Sequence, residues 1–352
     1  MVFAPSTRNR FKLLAIATVA TAAVVLTGCA ADAGVAKEAD NTKNTKVTFV
    51  EGLDVFPYEV VSLGIEKGFF TDNGIDAEII GTENEIQAIA SNSAQFAIGG
   101  TVAILSAREA GIEVQTMFAT MDGLGMNTIF SNELIEKHGL TIDAPLDERV
   151  RALKGETIGL TGPLGDDESF FRYFLTDAGL DPDNDVTFAY IGGTPDRVAA
   201  MEAGEIAAYM SSIPAAELGE FKGVGKRIII PSQEDIPELE GIPYSGVHVM
   251  AKYANENPDV VKAVGKALST AANFMRDEQD ETIEFIQSVY PEYDKTIVTQ
   301  GMEAIFPAVP ENGRMTKAGW DNLAKVTVDA GVLEKMPDVT EDTVWTNKFL
   351  RN

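Results

Sequence analysis

The chain has 352 residues, room for two domains at roughly 100–200 residues each, and its 45% apolar and 23% charged content is that of a globular protein. With 54 acidic against 28 basic residues, the formal charge of −26 argues against a protein that grips nucleic acid, which needs a clustered basic surface, and disfavours docking on an anionic membrane face. One cysteine, Cys29, and two distant histidines, His138 and His248, exclude an intrachain disulfide, a cysteine zinc site and a histidine-rich metal centre.

Residues 1–12 carry Arg8, Arg10 and Lys12 and no acid, and residues 13–26 are apolar apart from two threonines. These are the two regions of an export signal, and fourteen apolar residues fall short of the roughly 20 that span a bilayer. Leu26-Thr27-Gly28-Cys29 resembles a bacterial lipobox, which implies cleavage before Cys29 and lipidation of its thiol. Removing residues 1–28 takes away three positive charges and no negative ones, so −26 becomes −29. Residues 29–45, small and polar with no aromatic, read as the lipidated cysteine and a flexible tether. After residue 46 no apolar run reaches transmembrane length.

From there strands alternate with helices. Strands are predicted at 47–50, 76–80, 95–100 and 113–120. The helices between them run from Pro57 to near Gly68, from 83 to 90 with Ile86 and Ile89 inward, and from 101 to 111, stopped by Gly111. The pattern restarts with strands at 126–132, 156–162, 186–191, 207–211 and 226–231. A loop-rich stretch fills 133–153. Helices carry Phe170, Phe171, Phe174 and Leu175 on one face, or open on Thr194-Pro195. The grammar is that of βαβ units in two lobes with largely parallel sheets. The first lobe starts at 46–121, the second takes 122–247, and 248–352 returns to the first as helices at 257–277, 279–289, 294–304, 316–330 and 340–350, packed on that lobe.

In open α/β sheets ligands bind beyond the carboxyl ends of the strands. The loop after the first strand offers Asp54, Phe56 and Tyr58, a carboxylate and two aromatics that could cover an organic solute. Gly99, Gly100 and Thr101 open a helix, where free amides and the helix dipole favour an anion. Thr161, Gly162 and Leu164 form a second such loop, although Asp166, Asp167 and Glu168 crowd the following helix and could satisfy its amides. Ser211 and Ser212 end another strand, and Tyr244 lies on the return crossing. No metalloprotease, nucleophile-elbow, phosphate-loop or dinucleotide motif occurs where it would function, so neither catalysis nor a cofactor or metal is expected.

The stretches PYEVVSLGIEKGFFTDNGIDAEII, EIQAIASNSAQFAIGGTVAILSAREAGIEV, LKGETIGLTGP with its helix ending TDAGL, TPDRVAAMEAGEIAAYMSSIP and NPDVVKAVGKAL keep one order over residues 47 to about 275. Together they resemble the solute-binding proteins of ABC importers for nitrate, taurine and alkanesulfonates, and the related thiamine-pyrimidine binders. That resemblance implies a type II periplasmic-binding-protein fold, two α/β lobes joined by a hinge, with a helical C-terminal extension. It also implies a monomeric lipoprotein at the extracytoplasmic face of the cell membrane, which delivers a small solute to an ABC permease and its ATPase. Binding positions carry over to the loop of Phe56 and Tyr58, to Gly100 and Thr101, to Thr161 and Gly162, and to Ser211. After MEAGEI the family has Asp-Ala and then an acid before proline, whereas this chain has Ala207-Ala208 and Ile213-Pro214. A nitrate-, sulfonate- or taurine-like anion or an aromatic carboxylate is the expected solute. An amine or pyrimidine met by Asp54 and the aromatics, or a ligand-presenting surface sensor, are the alternatives. The related enzymes that build the thiamine pyrimidine rely on histidine and a cysteine-rich motif, and this chain has no cysteine after Cys29.

Overall fold

A computed structural model describes residues 44–52, 55–82, 84–163, 165–234 and 236–350. The expected signal, Cys29 and most of the tether lie outside them. Ten strands are β1 (Thr45–Glu51), β2 (Ile75–Gly81), β3 (Phe96–Gly100), β4 (Val114–Asp122), β5 (Met126–Ser131), β6 (Thr157–Leu160), β7 (Thr187–Tyr190), β8 (Ala208–Ser212), β9 (Gly225–Ile229) and β10 (Pro243–Met250). They form two five-stranded sheets, β2-β1-β3-β10-β4 and β7-β6-β8-β5-β9. In the first sheet β1 runs parallel to β2 and β3, and β10 runs antiparallel to β3 and β4. The second repeats that plan: β6 is parallel to β7 and β8, and β5 is antiparallel to β8 and β9.

The sheets are therefore mixed, not largely parallel. β10 was not legible as a strand: Pro243, Gly246 and His248 interrupt its apolar pattern. Gly246 is needed there because a Cβ would stand 2.5 Å from the Phe118 carbonyl oxygen of β4. The chain is back in the first sheet by Pro243, five residues ahead of the sequence-based boundary.

Apolar runs explain the layers. Phe49 of β1 lies in a fully buried stack, 5.1 Å from Phe96 and 5.5 Å edge-on from Phe70. The helix Pro258–Asp277 closes over this sheet with Val261, Val264, Leu268 and Ala271 inward, the face its 3.6-residue spacing predicts. In the second lobe the helix Asp166–Asp177 buries Phe170, Phe171, Phe174 and Leu175, as its spacing predicts.

Two parts of the C-terminal reading change. The helices do not pack on the first lobe alone. Lys317–Asp329 also lies against Asp166–Asp177, and Lys295–Ile305 touches Ala215–Phe221, both in the second lobe. Residues 340–350 are not helical: Thr116 of β4 donates its amide to Val344 (2.9 Å) and accepts from that of Thr346 (2.9 Å). Trp345 stacks on Trp320, and that apolar contact with the edge of β4 outweighs helix propensity. Among the described residues no helix is long and apolar enough to cross a membrane.

Candidate functional site

The chain passes between the sheets twice, at 123–125 and at 230–242. The carboxyl ends of β1 and β3 in one lobe and of β6 and β8 in the other carry the loops expected to meet ligand. Between these loops the lobes touch. The Tyr244 hydroxyl of β10 and the Ser212 hydroxyl of β8 share a hydrogen bond, and the Phe56 amide donates to the Ile213 carbonyl at 3.3 Å. Asp166, the first residue of its helix, reaches across to Gly100: a Cβ on Gly100 would stand 1.8 Å from Asp166 Oδ2. Glu85 likewise fills the space over Gly52, where a Cβ would stand 2.1 Å from its Oε1.

The structure thus brings Tyr58, Gly100, Ser212 and Tyr244 together, with Asp166 and Glu85 among them. Burial raises the Tyr58 hydroxyl well above its usual range, reinforced by Tyr244, Asp166, Glu85 and Glu51. Burial, then the charges of Asp167 and Glu85, pushes Asp166 up to about 7. Burial also raises Glu85, opposed by hydrogen bonds from its own amide and that of Gly52.

Other expected contacts are spent inside the protein. Phe56 is 0% exposed and faces away, 5.0 Å from Tyr290, with Gly301 against its ring; a large ring at a helix start is drawn into the core. The Thr101 hydroxyl donates to the Pro243 and Tyr244 carbonyls and its amide to Tyr244 (3.2 Å), so it secures the return crossing. The Gly99 carbonyl accepts from His248 Nε2 at 3.1 Å. Thr161 gives Asp167 Oδ2 both its amide (2.6 Å) and its hydroxyl (2.8 Å). Arg197 Nη1 donates to Asp167 Oδ2 (3.1 Å) and to the Thr161 hydroxyl (2.7 Å), and Nη2 to the hydroxyls of Thr194 (3.1 Å) and Ser211 (3.3 Å). Gly162 has open space where a Cβ would stand. Asp54 and Leu164 lie outside the described residues.

The sequence left open whether the acids after Gly165 satisfy the amides of their helix, and Asp167 accepts the Glu168 amide. Sequence reasoning missed Arg197, whose signal was a single base on the buried face of Thr194–Glu202. It also missed Asp122, whose Oδ1 is buried without a partner and whose carboxyl burial pushes up to about 7. Asp122 lines a cavity of about 450 Å³ at the crossings, with Leu124, Asn127, Arg227 and Glu234.

His248, read from sequence as an isolated polar residue, is buried between the Thr116 hydroxyl (3.0 Å from Nδ1) and the Gly99 carbonyl, an arrangement that suits the neutral ring protonated on Nε2. Burial lowers its pKa from 6.5 to about 4. The unfolded chain takes up this proton below about pH 6.5 and the folded chain refuses it until about 4, so stability is lost as pH falls through that window. The loss is about 3 kcal/mol in all. His248→Gln is expected to remove that part of the acid slope. Urea unfolding of both proteins from pH 7 to 4 measures the difference, in which the other titrating groups cancel.

A family model described as the NMT1-like family matches residues 38–289. The nitrate import ATP-binding protein NrtC of Synechocystis is 23% identical over 245 residues, covering 67% of this chain and 35% of NrtC, so the chain spans about a third of that relative's length. The alkanesulfonate-binding protein SsuA from Xanthomonas axonopodis pv. citri, solved bound to MOPS, superposes with a TM-score of 0.64 at 16% identity, covering 83% of this chain and 95% of that one. The periplasmic nitrate-binding protein NrtA from Synechocystis PCC 6803 gives 0.65 at 17% identity, covering 87% of each. At such identities the likeness is one of fold: two α/β lobes of the periplasmic-binding-protein type with a helical C-terminal region.

Proposed function

Because the chain belongs to the NMT1-like family, we propose that it is the solute-binding component of an ABC importer, capturing a small solute between its two lobes and delivering it to a permease driven by an ATPase. One observation carries this reading: two sheets of matching strand order present their loops to each other and meet at Asp166 and Gly100. The chain performs no chemistry on the solute in this reading. Cys29 is its lipid attachment point, residues 29–45 are its tether, and it works as a monomer on the extracytoplasmic face of the membrane. The family match and the nitrate- and sulfonate-binding neighbours support the transport role. They also favour an anion, but Asp166 and Glu85 between the lobes favour the amine or heterocycle.

A thermal-shift panel on the full chain tests the reading, with nitrate, alkanesulfonates and aromatic carboxylates set beside amines and pyrimidines. A solute present at 100 times its Kd adds about 2.7 kcal/mol of stability. The expected result is a clear upward shift from one class, lost in Gly100→Val, whose side chain takes the space of the Asp166 carboxylate. A shift that survives Gly100→Val would place the solute elsewhere and contradict the reading.

A further inference from the structure

The polar groups between the lobes divide into those already satisfied and those still open. Several of the donors that an anion would need are among the satisfied ones. The Thr101 amide and hydroxyl bond the return crossing. The Thr161 amide and hydroxyl bond Asp167, and the Arg197 guanidinium is divided among Asp167, Thr161, Thr194 and Ser211. The loop that could have cradled an anion therefore already holds one, the protein's own Asp167 carboxylate.

The open groups include a carboxylate and a hydroxyl. No hydrogen bond or ion pair from the described residues reaches the Asp166 carboxylate, which stands over Gly100. Tyr58 is 5% exposed, and no hydrogen bond from its hydroxyl to a described residue occurs. Tyr58 faces Tyr244, Asp166, Glu85 and Glu51. A hydroxyl and a carboxylate left without partners forgo the hydrogen bonds, and the carboxylate the counter-charge, that would stabilise them. A second anion placed here would add repulsion, whereas a cation with N–H donors would supply what both lack.

We propose that the cleft takes a cationic solute, a small molecule whose protonated amine or amidinium group binds between Asp166 and Glu85 with Tyr58 beside it. This rests on the solute-binding reading and names the charge class of the same site.

A proton linkage follows. The groups facing Asp166 are Asp167 on its own helix, Glu85 on Glu85–Ala90, Tyr58 at the start of the first helix and Tyr244 on β10. Of these four, Asp167 and Glu85 are acids that disfavour its ionised form and the two phenols carry no compensating charge, and Arg197 is committed to Asp167. Burial pushes Asp166 up to about 7, and a cation bound beside it would displace its proton. Affinity for a cation should then rise as pH goes from 6 to 8, by no more than tenfold per unit for one released proton.

Calorimetric titration of the full chain tests this with charge-matched probes: methylammonium, benzylamine and benzamidine against nitrate, methanesulfonate, benzoate and benzenesulfonate, each to tens of millimolar. The expected result is binding by a cation with the stated pH dependence. Asp166→Asn should weaken it roughly tenfold to a hundredfold and abolish that dependence, and Tyr58→Phe should weaken it less. An anion that binds and is lost in Gly100→Val overturns the charge class and leaves the solute-binding reading standing. A cation whose affinity is unchanged in Asp166→Asn also overturns it. No binding by any probe of either charge overturns both.

Discussion

Arg197→Met is expected to destabilise the protein by about 3–5 kcal/mol, because it leaves the Asp167 carboxylate buried without its counter-charge. Arg197 and Asp167 are both buried and joined at 3.1 Å. Burial raises Asp167 above the usual carboxylate range, and Arg197 with the Thr161 and Glu168 bonds opposes that rise. With the guanidinium gone, those bonds remain but the opposing charge does not. The double change Arg197→Met with Asp167→Asn should recover most of the loss, since it removes both charges and keeps a side chain that can bond Thr161. Urea midpoints of the single and double variants measure the effect. A single variant within about 1 kcal/mol of the natural protein would show that the pair contributes little.

Phe56→Ala is expected to cost about 3–5 kcal/mol of stability, the range for emptying a buried aromatic site. Its ring contacts Tyr290 at 5.0 Å and lies 6.4 Å from Tyr293, and a Cβ on Gly301 would already stand 3.0 Å from it. The loss should appear in the urea midpoint, and the affinity of the protein that remains folded should change little. Tyr58→Phe, two residues on, should show the reverse pattern. A loss of affinity without loss of stability in Phe56→Ala would return Phe56 to the ligand side of the loop.

These two side chains show what was legible in the sequence. The alternation of β-branched runs with 3.6-residue helical stretches marked nine strands of the two sheets, and the strand ends marked the loops that face each other. β10 stayed hidden because its pairing comes from both neighbours in the middle of a sheet and not from its own pattern. At the site the positions could be read, but the free groups could not. Whether Thr101 faces a solute depends on the Pro243 carbonyl, 142 residues away. Whether Thr161 does depends on Arg197, 36 residues away. Asp166 looked like one of three helix-start acids, and only the approach of the other lobe distinguishes it from Asp167. Local spacing carries no information on such partners.

The central claim, that the two lobes close on a solute, is tested most directly by the distance between them. Asp76→Cys on β2 and Thr187→Cys on β7 place spin labels on exposed edges of the two sheets, with Cys29→Ser so that no third label attaches. Pulsed electron resonance then gives the distance in the full chain, with and without the probe that raises its melting temperature. The account predicts a longer or broader distribution without the probe and a single shorter one with it, since a ligand shifts the balance only by binding one state better. A distribution unchanged at saturating probe would contradict it.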